Sequence, residues 1–234
     1  MKAIFLRELR SYFITPLGYV YLAIFCIVSA GAFTILLVSG QGEFTYIYSV
    51  LSSAVMVLTP LLTMRIFSEE RHQKTEQLYL TAPVSLTSVV LGKYFAAMVV
   101  YAAGVAGTLL LAAILSEYAA VSWPLVLGNL IGILFLGSTC IAVSTYISSR
   151  TESQILAAIG SIVVMAVLLF MGAFAGLIPF RPLRPVIREL AFSTHYYSLT
   201  IGILNFADLF FFFSLSFLFL FLTVRGMEAR RWRG

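Results

Sequence analysis

Charged side chains fall in a few clusters along this chain. Between them lie long runs with no Asp, Glu, Lys or Arg: 11–42, 44–64, 94–116, 118–149, 153–180 and 209–224. Each of the first five can supply the roughly 20 apolar residues that a helix needs to cross about 30 Å of hydrocarbon. The sixth reaches that length when Asp208 and Arg225 sit at the two interfaces, the arginine stem snorkelling to the headgroups. The runs are continuously apolar rather than alternating, which excludes a membrane β-barrel. A backbone in lipid must satisfy its own hydrogen bonds, so the runs are helical. The pattern predicts an all-α integral membrane protein, a single transmembrane domain over 1–234 with six transmembrane helices at 17–39, 45–66, 89–116, 124–147, 154–178 and 207–224.

Three segments stand apart from the spans. In 2–15, Ile4, Phe5, Leu9, Tyr12 and Phe13 recur at helical spacing while Lys2, Arg7, Glu8 and Arg10 take other faces, and Pro16 ends the helix. This predicts an interfacial helix; a plain charged terminus is the alternative. The stretch 65–81 is the most densely charged in the chain, with Glu70 and Lys74 at i,i+4 and Phe67, Leu78 and Leu80 as apolar ends. It is either a docking helix for a soluble partner or a solvated loop whose charges set topology. Finally, 190–207 is uncharged but rich in hydroxyl side chains, with His195 and Asn205. A seventh span there would move Arg225–Arg233 to the far side. With six spans, every basic residue except Arg181, Arg184 and Arg188 lies on the side of the N-terminus, as the positive-inside rule requires. The segment is therefore expected to be a pair of short helices dipping into or lying on the outer leaflet, after a rigid loop set by Pro179, Pro182 and Pro185.

Composition agrees: 61% of the 234 residues are apolar, 11% are charged and the mean hydropathy is +1.00, which rules out a soluble enzyme or a disordered tail. The net charge of +5 is spread between spans, so it orients the protein in a membrane rather than marking nucleic-acid binding. Catalytic and metal-binding signatures are missing. There is no Gly-x-x-x-x-Gly-Lys-Ser/Thr loop, since Gly92-Lys93 is followed by Tyr94, so no nucleotide is cradled by this chain. His72 among Glu69, Glu70 and Glu76 reads as a solvated histidine rather than a metal ligand, and His195 with Ser193 and Asp208 reads as an interfacial histidine rather than a catalytic triad. Lys93, Glu117, Arg65 and Asp208 all fall at span ends, which disfavours an ion-coupled carrier or a passive channel. Gly128-x-x-x-Gly132 and Gly172-x-x-x-Gly176 offer small faces for helix packing, and Tyr46, Tyr48, Tyr118, Trp123, Tyr196 and Tyr197 are expected as outer interfacial anchors.

The run from Thr63 to Lys93 resembles the loop of type-2 ATP-binding-cassette (ABC-2) permeases. That loop has an aromatic residue, Glu-Glu-Arg, Thr-x-Glu-x-Leu with a later proline, then Gly-Lys in the next span. The matching residues are Phe67, Glu69, Glu70, Arg71, Thr75, Glu76, Leu78, Pro83, Gly92 and Lys93. The chain departs from the pattern at Lys74, where the family commonly has glycine. Phe13–Tyr19 and Arg225–Trp232 are similar to the gliding-motility-associated subgroup of bacterial permeases.

The resemblance implies an ABC-2 (type V exporter-like) permease fold in the bacterial cytoplasmic (inner) membrane. It implies cytosolic termini, an N-terminal interfacial helix and a re-entrant outer hairpin at 186–206. It implies that 67–80 is a coupling helix through which Phe67, Glu69, Glu70, Arg71, Thr75, Glu76, Leu78 and Pro83 meet a separate ABC ATPase. Two ATPase copies would bind the ATP and magnesium, so this chain is not itself an enzyme. A second permease, identical or paralogous, would complete the transporter, with an accessory envelope protein and membrane lipids as further partners. The function implied is outward movement of a lipid-like, glycan or peptide substrate. The alternative is an assembly anchor that a partner ATPase drives mechanically without moving a solute.

Overall fold

The computed structural model describes residues 1–39, 44–77, 84–118, 121–174, 183–200 and 205–231. Among these residues the secondary structure is helical, with no strand: α1 (Lys2–Ile14), α2 (Pro16–Ser39), α3 (Thr45–Thr63), α4 (Arg65–His72), α5 (Leu86–Ser116), α6 (Trp123–Arg150), α7 (Gln154–Phe174), α8 (Leu183–Glu189), α9 (Phe192–Thr200) and α10 (Phe206–Arg231). Six helices are long and apolar enough to cross a membrane: α2, α3 running on into α4, α5, α6, α7 and α10. This is the architecture of a multi-pass membrane protein.

Local chemistry explains the boundaries. α1 stops where Thr15 turns extended (ψ 153°), and Pro16 opens α2 where its missing N–H costs nothing. The turn is tight: a Cβ on Gly18 would lie 2.6 Å from the Tyr12 carbonyl oxygen. α3 stops at Thr63 rather than at 66. Pro60, inside it, removes a backbone donor, and α4 restarts one residue later with a borrowed cap. The Ser148 hydroxyl on α6 accepts the N–H groups of Phe67 and Ser68, each at 3.2 Å, and donates to Met64 O at 3.1 Å. α5 begins at Leu86 and α10 continues past Val224 to Arg231, both beyond the predicted spans. Pro185 lies in the first turn of α8 rather than in a loop, a position where proline is tolerated; Pro179 and Pro182 lie outside the described residues.

α6 is the axis of the bundle. Its apolar window is 67% buried, against 22% for α2, α7 and α10, and it touches α3, α4, α5, α7, α9 and α10. In lipid no hydrophobic drive brings helices together, so close backbone approach and internal hydrogen bonds must do it. The α6 sequence supplies both. A Cβ on Gly137 would lie 2.1 Å from Cζ of the buried Tyr101, whose hydroxyl donates to Ile133 O. Ser138 pairs with the Tyr94 hydroxyl at 2.6 Å, and Thr139 donates to Phe212 O at 2.9 Å and lies 3.0 Å from the Ser216 hydroxyl. These contacts lock α5, α6 and α10 together.

The two ends of the bundle differ. One carries α1, α4, the C-terminal turns of α6 and the tail of α10, with most of the basic residues. The other carries α8 and α9. There Tyr196 donates to Tyr48 O at 3.1 Å and Asn129 to Thr200 O at 3.1 Å. Tyr48 and Tyr196 are thus buried links rather than interfacial anchors. Tyr46, Tyr118, Trp123 and Tyr197 remain exposed. Gly132 and Gly172 face the α8–α9 region and not another span: their Cβ positions lie 3.0 Å from Leu199 and 3.1 Å from Ala191. Gly128 is buried on α6, and Gly176 lies outside the described residues.

Substituting Gly137→Ala forces the Tyr101 ring out of its seat. We expect a loss of about 1–3 kcal/mol, read as a lowered unfolding temperature in detergent. Shrinking the opposing ring in the double variant Gly137→Ala/Tyr101→Leu should recover part of that loss.

Candidate functional site

The basic end is organised around Lys93. It sits on α5, is 1% exposed, and all three of its donors are used. Nζ donates to Ile66 O at 2.8 Å and pairs with Glu70 at 2.8 Å and Glu8 at 3.3 Å; the ammonium also lies 5.1 Å from the centre of the Phe67 ring. A buried charge is tolerable only when paired and hydrogen-bonded in this way. The preceding residue makes the pairing reachable. A Cβ on Gly92 would fall 3.2 Å from Ile4 Cγ2 and 3.3 Å from Phe5 N, so glycine lets α1 lie directly on α5 and carries Glu8 to Lys93. Arg7 then pairs with Glu8 at 2.8 Å and reaches Glu70 at 3.5 Å. Between α1, α4 and α5 lies a cavity of about 470 Å³, lined among others by Arg7, Tyr12, Arg65, Gln73 and Thr75. Burial lifts the Tyr12 phenol above its ordinary value; Glu8 adds to the shift and Arg65 opposes it.

The sequence-predicted coupling residues are drawn together, but most point inward. Phe67 is buried. Glu69 forms a two-pronged pair with Arg65, at 2.7 and 3.0 Å. Glu70 belongs to the Lys93 cluster. Arg71 donates to Arg150 O at 2.9 Å and pairs with Glu152 at 3.2 Å. Glu76 pairs with Arg230 of α10 at 3.4 Å, and Arg230 donates to Ser149 O at 2.8 Å. What faces outward is His72, Gln73, Lys74 and Gln77. Leu78 and Pro83 lie outside the described residues. α4 and the turn that follows it are therefore clamped to α1, α5, α6 and α10 on one side and exposed on the other.

The helix predicted over 67–80 ends at His72. Thr75 N–H bonds to Glu70 O at 2.9 Å and Lys74 N–H to Arg71 O at 3.1 Å. This is the paired bonding of a Schellman terminus, which requires a left-handed residue between. That residue is Lys74, with φ 56°. The position where the chain departs from the ABC-2 loop pattern is thus the one whose backbone favours glycine.

Sequence reasoning placed Lys93 at a span end and missed its burial, as it missed Glu8, Ser148 and Arg230. The available signal was a lone lysine in an apolar helix and a lone acid in a basic one.

At the opposite end a second polar cluster joins α8, α9 and α10. His195 Nδ1 lies 2.6 Å from Asp208 Oδ1, and Nε2 lies 2.7 Å from Glu189 O. The ring stacks on Phe211 with centroids 4.0 Å apart. Asp208 also accepts from Ser198, whereas Ser193 packs against Gly172. With a backbone carbonyl on Nε2 and no serine there, the arrangement ties helices together and is not a nucleophilic triad.

No known family profile matches the chain, and no curated protein matches it at a significant level.

Two outcomes follow from this geometry. Lys74→Gly should raise stability by about 1 kcal/mol by relieving the left-handed backbone, while Lys74→Val should lower it, both read by thermal unfolding. His195→Ala and Asp208→Ala should each cost about 1–3 kcal/mol. Their double variant should cost clearly less than the sum, because each removes the same bond.

Proposed function

We propose that this chain is the permease subunit of an ATP-driven exporter of the ABC-2 type, with α4 and its C-terminal turn as the element that a separate ATPase engages. The single observation that carries the reading is the two-sidedness of α4. Its inner side is fastened to four bundle helices by Glu70, Ser148, Arg71 and Glu76, and its outer side presents His72, Gln73 and Lys74. A load applied to the outer side is transmitted to α1, α5, α6 and α10 at once. The left-handed Lys74 at the family's glycine position adds support. Under this reading the basic end faces the cytosol, the short α8 and α9 form the outer re-entrant hairpin, and two permeases with two ATPases make the working unit. The substrate is a lipid-like molecule, glycan or peptide. The scarcity of unpaired charge within the spans fits transport energised from outside the membrane.

The test uses the chain purified from its native membrane. We expect ATPase activity to co-purify and to be lost in His72→Glu/Lys74→Glu, which alter only exposed side chains and leave the unfolding temperature within about 2 °C. Glu76→Lys should uncouple ATP hydrolysis from transport, and Glu76→Lys/Arg230→Glu should restore part of it. Purification with no ATPase, or solute flux in liposomes without ATP, overturns the reading. ATP hydrolysis coupled to no movement of any amphiphile favours the mechanical anchor.

A further inference from the structure

The basic end carries a second recess that the α4 reading does not use. A groove of about 290 Å³ runs between the end of α6 and the tail of α10, lined by Arg150, Leu222, Arg225, Gly226, Ala229 and Arg230. Among the described residues no carboxylate lines it. Arg230 is committed to Glu76 and Ser149 O, and Arg225 pairs at its rim with the half-exposed Glu228 at 3.1 Å. Arg150 makes no ion pair among the described residues. Its guanidinium lies 5.2 Å from the Tyr146 ring centre, with Nη2 3.4 Å from the Tyr146 hydroxyl. It rests flat against Gly226, where a Cβ would come within 3.3 Å of Nη2. Arg225 is held in the same manner over Phe221 at 5.2 Å. Two guanidinium groups are thus pre-positioned by aromatic rings at the mouth of a groove whose positive charge is not internally cancelled.

The level in the membrane selects the ligand. Val224 is the last residue of the uncharged run on α10, and one turn further into the span Leu218, Phe221 and Leu222 are exposed. The groove therefore opens downward onto apolar helix surface and upward onto arginines. We propose that this groove binds the headgroup of an anionic phospholipid, its phosphodiester held by Arg150 and Arg225 and an acyl chain lying along Leu222 and Leu218. Guanidinium forks match a phosphate in a bidentate manner, and basic recesses between helices at a membrane surface concentrate anionic lipid. An acidic protein surface would satisfy the arginines but not Leu222, which lines the same groove and continues onto the exposed Leu218. The site does not depend on an ATPase docking at α4, so the two readings stand or fall separately.

The purified, delipidated chain, without partner, is titrated in detergent with dioctanoyl phosphatidylglycerol, with dioctanoyl phosphatidylcholine and with inorganic phosphate, and bound lipid is read by native mass spectrometry. We expect phosphatidylglycerol to bind selectively. Arg150→Gln and Arg225→Gln should each weaken it about fivefold, and the double variant by roughly the product. Arg10→Gln, an exposed charge on α1, should leave binding unchanged, and Arg150→Lys should fall between wild type and Arg150→Gln. If the double variant is not monodisperse, the single variants and Arg150→Lys decide. Equal affinity for phosphatidylcholine overturns the proposal, as does a double variant that binds phosphatidylglycerol like wild type. Displacement of the lipid by equimolar inorganic phosphate makes it a free-anion site instead. Loss of a protein partner in the double variant with lipid binding intact makes it a protein-docking site instead.

Discussion

A charge that leaves water at the edge of a membrane must be neutralised by groups the chain itself brings, and Lys93 imposes that condition on the whole basic end. Its ammonium is buried on α5, where an unpaired charge would cost several kcal/mol. Satisfying it requires Glu8 from α1 and both Ile66 O and Glu70 from α4. Each partner needs its own support. Glu8 arrives only because Gly92 lets α1 lie on α5, and Ile66 O is available where α4 restarts after Met64 under the Ser148 cap. One buried side chain thus fixes the positions of α1 and α4 against α5.

The interior of the spans obeys a different economy. There α6 holds its neighbours by being small and by sharing hydroxyl bonds: Gly137 under Tyr101, Ser138 and Thr139 against Tyr94 and Ser216. Such contacts are directional and short, so they specify one arrangement of α5, α6 and α10 in a solvent that gives apolar surface no reason to prefer protein over lipid. The peripheral α2, α7 and α10 leave most of their apolar windows uncovered, which suits helices whose outer faces meet acyl chains.

The spans were legible because the membrane itself sets their length: charge-free runs of sufficient length locate α2, α5, α6 and α7 to within a few residues wherever they are described. The break between α3 and α4 was not, because it depends on Ser148, distant in sequence, supplying a cap that Pro60 alone does not announce. The charges of 65–76 were legible as a cluster, but their directions were not. Helical periodicity gives relative faces, and only the packing of α1 and α10 shows that Glu70 and Glu76 turn inward while Gln73 and Lys74 turn out. Likewise the glycine pairs were visible as small faces, yet Gly132 and Gly172 receive the short α9 region instead of a second span. The tyrosines near the α9 end could not be sorted by type alone, since interfacial belts and buried hydroxyl links use the same residue; Tyr197 is exposed and Tyr196 is buried.

The two ends of the molecule also differ in how their polar groups meet solvent. Around α4 the fastenings are ionic and multiple, and Arg7, Arg71 and Glu152 are partly open to water. Bonds of this kind exchange partners at small cost, because a guanidinium that loses one acceptor finds another or a water molecule. Around α9 the fastenings are few and sheltered: Asp208 holds His195 and Ser198 at once, under the Phe211 ring. Breaking that knot strands a carboxylate, which makes the junction of α9 with α10 costly to open. Two helices connect these ends: α6, through Ser148 at α4 and Asn129 at α9, and α10, through Arg230 at Glu76 and Asp208 at His195.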